Sequence, residues 1–580
     1  MQTLPTWDLS PIYPSVDSKE FLADLGLMTS RSRVLEVMIT SPSAELPACI
    51  AEYEAILDYQ ETLDAYSSAC LTTDTANELY LKATAQVEEA SLVVQHLEVA
   101  FRNFLASRSE EIAKRTETGG DLEPYRFVLS ELLEEQAHQM ESELEALASD
   151  LARSGTDAFS RLQEAMGSSI HVADEDSQPK TLVELRNEAS NPDREVRKRA
   201  FEQELSLLKA YEIPFAAALN GVKGTTISLD GRRGYASPLD RSLSQSRIDR
   251  QVLAALISTI ENNLPVFRTY LKHKAAHLGV DDLSFYDLFA PLGSDEHHYS
   301  YEDAHELIVE QFSAFSPEMG LFADQAFKQR WIDAGSRKGK VGGAYDTAFP
   351  LAKQSRILAN FDYAYGGVST LAHELGHAWH DHVVLDKSNL LRSYPMTLAE
   401  TASIFSEFLV FQGVLERSTG PARVTLVEHF LQEACQVCVD ILSRFYFESA
   451  VFGRRVEGDL SAAEFCSLME EAQQKTYGDA LQVKHPYMWA VKGHYYSSDF
   501  SFYNYPYAFG QLFALGLYEV GRTTDHFDQQ YNQVLSLAGS LDARQVASSV
   551  GIDLADPAFW QRGIDVIAAY VKELGDALPN

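Results

Sequence analysis

An all-α architecture broken by one small β element is the fold class this sequence predicts, and three observations predict it. Apolar residues recur at three- and four-residue intervals through long stretches such as YEAILDYQETLDAYSSACL and EALASDLARSGTDAFSRLQEAM, which is the period of one helix face. Strand signals are confined to one region: between Arg337 and Gly367, RKGKVGGAYDTAFP and SRILANFDYAYGG combine glycines, Pro350 and short alternating apolar runs, the chemistry of strands and turns. A length of 580 residues exceeds one simple core, so two or more packed units or a large helical assembly is expected.

Along the chain, breaks are expected at 118–121 (TGGD) and in the polar stretch 173–181, both read as surface loops between helical hairpins. Hydrophobic residues at 45% and charged residues at 23% belong to an ordinary globular chain. The 48 Lys+Arg against 84 Asp+Glu give a formal charge of -36, which repels polyphosphate and anionic lipid, so neither nucleic acid nor a membrane surface is expected as a partner. The first lysine is Lys19, so no basic leader is expected, and no apolar run reads as long as the ~18 to 20 residues of a membrane span. A soluble, cytoplasmic protein is expected. Five cysteines are too few and odd in number for a disulfide scaffold. Cys435 and Cys438 form one C-x-x-C inside VTLVEHFLQEACQVCVDILSRF, without the second pair a zinc site requires, and are read as core.

The chemistry starts at His373. His373-Glu374-Leu375-Gly376-His377 is an H-E-x-x-H motif in TLAHELGHAWHDHVV. On a helix the imidazoles at i and i+4 share a face and can bind one metal, while Glu374 can reach a water in an open position. A third ligand has to come from elsewhere: groups at 373, 377 and 381 would spread over ~12 Å of helix, which sets aside Asp381 and, by the same crowding, His380. The position where a metzincin carries its third histidine is Val383. Glu400, in the helical run MTLAETASIFSEF, is the better candidate, because the 23 positions after His377 leave room for a loop with Pro395 and an antiparallel return. Glu407, two turns on, is open between support of a ligand histidine and an ordinary helix-face carboxylate.

TLAHELGHAWH followed by AETASIFSE resembles the thimet oligopeptidase family of zinc metallopeptidases, and within it the oligoendopeptidase F branch. GRRGYASPLDRSL (231–243), LSFYDLFAPL (283–292), GGAYDTAFP (342–350), SRILANF (355–361) and MWAVKGHYYSSDFSFYNYPYAFG (488–510) resemble that branch's blocks in the same order. The resemblance implies an N-terminal helical region, 1–195, and a metallopeptidase domain, 196–580, with two helical halves flanking a deep channel. It implies one zinc ion per chain on His373, His377 and Glu400, Glu374 as general base, and short peptides as extended substrates. It also implies that SRILANF is an edge strand and GGAYDTAFP an adjoining loop, together holding the substrate backbone by β-addition. One departure is Gly367, where the family pattern usually has an acidic residue.

Zinc with three protein ligands keeps a position for water and lowers its pKa toward ~7, and the tetrahedral oxyanion needs a second stabiliser. HYYSSDFSFYNYPYAFG supplies His494 and phenols at Tyr495, Tyr496, Tyr503, Tyr505 and Tyr507, with Pro506 read as the first residue of a helix. The resemblance favours Tyr507 and His494 as donors, with Tyr503 next; at least two of the five tyrosines are expected to be wall or core.

A zinc endopeptidase is the leading reading. A related metallocarboxypeptidase is the runner-up and needs a cation for the substrate's terminal carboxylate, for which Lys492 and Arg356 are candidates. No G-A-M-E-N-like segment supports an aminopeptidase, and a thermolysin-like glutamate would fall at Thr397. An inactive peptide-binding module is disfavoured by the intact Glu374.

Overall fold

The computed structural model describes residues 4–172, 179–293 and 297–577. They are mainly helical, as expected, with sheets of two or three short strands. The expected break at 118–121 falls between helix Ser109–Arg115 and the short turn Glu123–Tyr125; of the polar stretch, residues 173–178 lie outside the described residues. The chain forms two compact units, each assembled from three stretches: Met1–Ala137, His297–Glu416 and Val520–Ile552 in the first, His138–Glu296, Arg417–Glu519 and Asp553–Asn580 in the second.

In the first unit, helices Lys19–Met38, Leu46–Thr73 and Glu78–Ser107 pack on one another. Ser18 opens the first by accepting the Phe21 N–H at 3.2 Å, and Asn77 opens the third by accepting from Leu79 and Tyr80; each cap satisfies an amide that has no partner inside its helix. Phe21, Met28 and Leu35 recur every two turns and share a core with Leu63, Leu97 and Phe101. Tyr53 stacks on Phe101 with ring centres 4.1 Å apart. The same core takes in Phe349 and Leu358, so the bundle supports the β element.

That element is a three-stranded sheet of β1 (Ile332–Asp333), β2 (Tyr345–Phe349) and β3 (Gln354–Leu358). Its order is β1-β3-β2, with β1 parallel and β2 antiparallel to β3, the latter in register from Tyr345↔Leu358 to Phe349↔Gln354. The expectation for SRILANF is therefore corrected: its strand is central, and the edge is β2, formed by the segment expected to be a loop. The reason is β1, two residues long and locally silent, which occupies the far side of β3. Asp333 anchors it by pairing with Lys340 at 2.7 Å and Arg337 at 2.6 Å. All but the last residue of helix Met396–Arg417 lies in the first unit, and, contrary to the expectation from sequence, its mean hydropathy of 1.3 over eighteen residues meets the length and composition of a membrane span. Of that window, 67% is buried inside the protein, so its apolarity faces a core.

The second unit is helical around buried ion pairs, Lys223 with Glu448 and Lys274 with Glu428, each at 2.6 Å. Cys435 ends helix Gly420–Cys435, and Cys438 lies in the π-turn Gln436–Asp440 that runs on into helix Ile441–Arg455. Both thiols are buried, and burial pushes that of Cys435 up to about 12, which suits the core reading.

Candidate active site

Helix α1 (Tyr365–Val384) carries the H-E-x-x-H motif and leaves the sheet through a tight turn in which Asp362 accepts the Ala364 N–H at 3.1 Å. A Cβ at Gly367 would stand 2.7 Å from Asp362 Oδ1 and 2.9 Å from the Phe361 ring. A side chain there would have to displace both Asp362 and the Phe361 ring, a local steric cost that accompanies the missing acidic residue. His373 and His377, one turn apart, have ring centres 5.0 Å apart and lie at 79° to each other.

Helix α2 (Met396–Arg417) brings Glu400 to them. Its Oε2 lies 3.4 Å from His373 Nε2 and 3.5 Å from His377 Nε2, and one ligand atom from each residue falls within 4.8 Å of the others; this is the one such His/Cys/Asp/Glu group found among the described residues. Glu407 Oε2 stands 3.3 Å from His373 Nδ1, and its Oε1 accepts from Ser369 Oγ at 2.6 Å. Glu407 thus stands behind His373, where the first of its two sequence readings needs it. A His373 that donates Nδ1–H to Glu407 presents a bare lone pair at Nε2. Two imidazoles and a carboxylate then converge lone pairs on one point, a donor set that fits a divalent cation of borderline softness such as zinc. Ser403 Oγ donates to Glu400 Oε2 at 2.8 Å and helps to aim it.

Glu374 is buried, its carboxylate beside the Asp346 backbone N–H of β2, and burial raises its pKa although the two histidines oppose the shift. His380 lies on another face: its Nε2 reaches Leu535 O at 3.1 Å, its ring stacks on Tyr394 at 3.9 Å, and burial lowers its pKa to about 3. Asp381 accepts from Tyr394 at 3.1 Å and Ser355 at 3.4 Å. Neither belongs to the His373, His377 and Glu400 group.

The phenol-rich segment belongs to the second unit. There His494 stacks on Tyr503 with ring centres 4.9 Å apart, and Tyr507 lies 6.2 Å from His494 and 6.0 Å from Tyr503. All three are partly exposed. Tyr495, Tyr496 and Tyr505 are fully buried, with Tyr505 OH donating to Ser242 O at 3.2 Å and bonded to Ser246 Oγ at 2.8 Å. Three of the five tyrosines are thus core residues. Helix α3 (Tyr505–Gly521) starts one residue before Pro506, and Tyr507 is in its first turn. Burial, with help from Arg444 and Lys492, pushes His494 down to about 4, so it is neutral at pH 7. Arg356 is withdrawn as a carboxylate clamp: it is buried, and its guanidinium is spent on Asp8 O, Ser355 O and Gln354 Oε1.

The family model described as Peptidase family M3 matches residues 188–566, and that described as Oligopeptidase F matches 104–170. The chain belongs to peptidase family M3. An oligoendopeptidase F homolog of Lactococcus lactis is 28% identical to this M3 chain over 605 aligned positions, covering 98% of it and 96% of the relative. Among solved structures, a protein from Chlamydophila abortus superposes with a TM-score of 0.84 at 22% identity, covering 99% of this chain and 98% of that one. The oligoendopeptidase-F of Enterococcus faecium does so at 0.69 and 18%, covering 96% and 98%. The superpositions bear on the fold; membership makes the chain a peptidase.

In this M3 site, sequence reading missed Ser369, Ser403, Asp346 and Tyr394. The first two had a local signal, since Ser369 stands four residues before His373 and Ser403 three after Glu400, each on the helix face of its partner. Asp346 and Tyr394 come from other segments and had none.

Proposed function

We propose that this M3 peptidase is a zinc oligoendopeptidase that hydrolyses internal bonds of short, extended peptides. The observation that carries the reading is the convergence of His373 Nε2, His377 Nε2 and Glu400 Oε2 beside a buried Glu374. Zinc held by these three residues would supply Lewis acidity and bring the pKa of a water toward ~7. Glu374 is the base that takes the proton of the attacking water and passes it to the leaving amine, a task suited to a carboxylate whose pKa burial has raised. Tyr507 and His494, with Tyr503 behind them, are the donors to the developing oxyanion; a neutral His494 offers an N–H without adding a charge. The edge strand β2, whose residues 345–348 are partly exposed, is the surface on which a substrate backbone would pair.

The carboxypeptidase reading keeps one supporting observation, the half-buried Lys492, which makes no ion pair among the described residues and which burial shifts down to about 8. A fluorogenic octapeptide blocked at both ends separates the readings. Internal cleavage that stops on chelation and returns with zinc supports the endopeptidase; cleavage only of the free-ended version indicates a carboxypeptidase. One bound zinc without turnover of either indicates a binding module.

A further inference from the structure

Two carboxyl groups meet behind the general base. Asp346 lies on β2 and Asp381 on α1, seven positions after Glu374 and so on the same helix face, and their side chains hydrogen-bond to each other. Two carboxylates cannot form that bond; one must carry a proton. The surroundings show which. Asp381 accepts from Tyr394 OH at 3.1 Å and Ser355 Oγ at 3.4 Å, so hydroxyl donors serve both of its oxygens. Asp346 Oδ1 is closed to solvent, and no donor group reaches it. Arg356, on the neighbouring strand, points to the other face of the sheet and gives its nitrogens to Asp8 O, Ser355 O and Gln354 Oε1. Asp346 is therefore the acid and Asp381 the carboxylate it donates to.

This bond joins the strand to the catalytic helix at the residue whose own backbone N–H lies beside the carboxylate of Glu374. We propose that Asp346 and Asp381 are positioning residues: a proton-sharing carboxyl pair that clamps β2 onto α1 and so fixes Glu374 for proton transfer. The inference rests on Glu374 being the base. Neither aspartate is a metal ligand, and neither touches the substrate's reacting atoms in this role. The clamp acts on the chemical step because a base displaced by a fraction of an ångström loses its alignment with the water proton, while peptide binding along the strand is less affected.

The pair carries its own pH signature. Glu374 and His377 on α1 and Tyr394 ahead of α2 are the titratable groups that face it, with Glu400 reaching it through Tyr394, while Tyr345 on β2 and Arg356 on β3 act on it from the opposite face of the sheet. Of the pair itself, the native state holds one proton above the ordinary carboxylate range. Raising the pH through its titration leaves two repelling carboxylates and opens the clamp. An asparagine at 346 donates to Asp381 through its amide and has no proton to lose.

The test uses the zinc-loaded full-length enzyme and a quenched peptide, with Asp346→Ala, Asp381→Ala, Asp346→Asn and Glu374→Gln compared for kcat, KM and zinc content. Both alanine variants should lose ~10- to 100-fold in kcat, with KM within about threefold and one zinc retained. Asp346→Asn should recover kcat to within about threefold of wild type and hold it to higher pH. Alanine variants with wild-type kcat, or loss of zinc from them, overturn the proposal; so does an Asp346→Asn variant as slow as Asp346→Ala. Where the alanine variants do not fold, the pH profiles of wild type and Asp346→Asn decide, and identical alkaline limbs overturn the clamp. Glu374→Gln separates the underlying reading: activity in that variant removes the base assignment whatever the aspartates do, whereas an inactive Glu374→Gln beside unaffected aspartate variants removes the clamp alone.

Discussion

A Cβ on Gly376 would stand 2.5 Å from the carbonyl oxygen of Ala402. Helix α2 crosses α1 at the glycine between the two motif histidines, and that crossing sets Glu400, two residues before Ala402, against both imidazoles. Ser406 Oγ, at 2.7 Å, could turn away, but Ala402 O and Ser403 Cα, the latter also at 2.7 Å, are backbone, so the clash cannot be relieved by turning a side chain. Gly376→Ala gains ~1 kcal/mol of helix propensity and loses about 1–3 kcal/mol to overpacking. Net destabilisation is expected, with weakened zinc binding because Glu400 is pushed off. Zinc titration of the purified variant checks this; wild-type affinity would mean the helices part without moving Glu400.

Glu374 and Glu400 are both carboxylates near the histidines, but they should fail differently. Glu374→Gln keeps its shape and all three ligands, and should retain about one zinc per chain while losing nearly all turnover. Glu400→Ala should lose the metal. Elemental analysis beside peptide kinetics reads both, and loss of zinc from Glu374→Gln would reverse the assigned roles.

In the proposed zinc site Glu407 would act on the metal through His373. With Ser369 holding one oxygen and His373 Nδ1 the other, its loss frees the ring to rotate. Glu407→Ala should weaken zinc binding ~10- to 100-fold, seen in a competition titration with a chelator, while saturating zinc restores much of the activity. If zinc affinity is unchanged, Glu407 is an ordinary helix-face carboxylate.

Tyr507 should matter in the transition state. Tyr507→Phe keeps the ring that packs near His494 and Tyr503 and removes the hydroxyl, so kcat should fall ~10² to 10³-fold with little change in KM and no loss of zinc. A changed KM with kcat held within a few-fold makes Tyr507 a wall residue and moves the search for the donor to Tyr503 or His494.

Substrate form is the last expectation. Pairing along β2 requires an extended backbone, so peptides of roughly 5 to 20 residues should be cut internally and folded proteins spared. Mass spectrometry of a mixed digest checks it; cleavage of a native globular protein at the rate of a short peptide would refute it.

Much of the site was legible because its geometry is local. The i, i+4 spacing of His373 and His377 puts both imidazoles on one helix face wherever that helix goes, and the same rule set aside His380 and Asp381. The period of the apolar residues likewise announced the helices. What the chain could not declare by itself depends on contacts between distant segments. Glu400 was a candidate from spacing, but it meets the histidines because α2 crosses at Gly376. SRILANF and GGAYDTAFP read alike as short apolar runs, and which of them became the edge was decided by Ile332–Asp333, a two-residue strand with no periodicity to read. Tyr495, Tyr496 and Tyr505 differ from Tyr503 and Tyr507 in burial, not in chemistry, and burial is a property of packing. Asp346 and Asp381 carry no motif at all; they become a pair when β2 lies on α1, because the free energy that joins two carboxyl groups exists only where tertiary structure has removed the water between them.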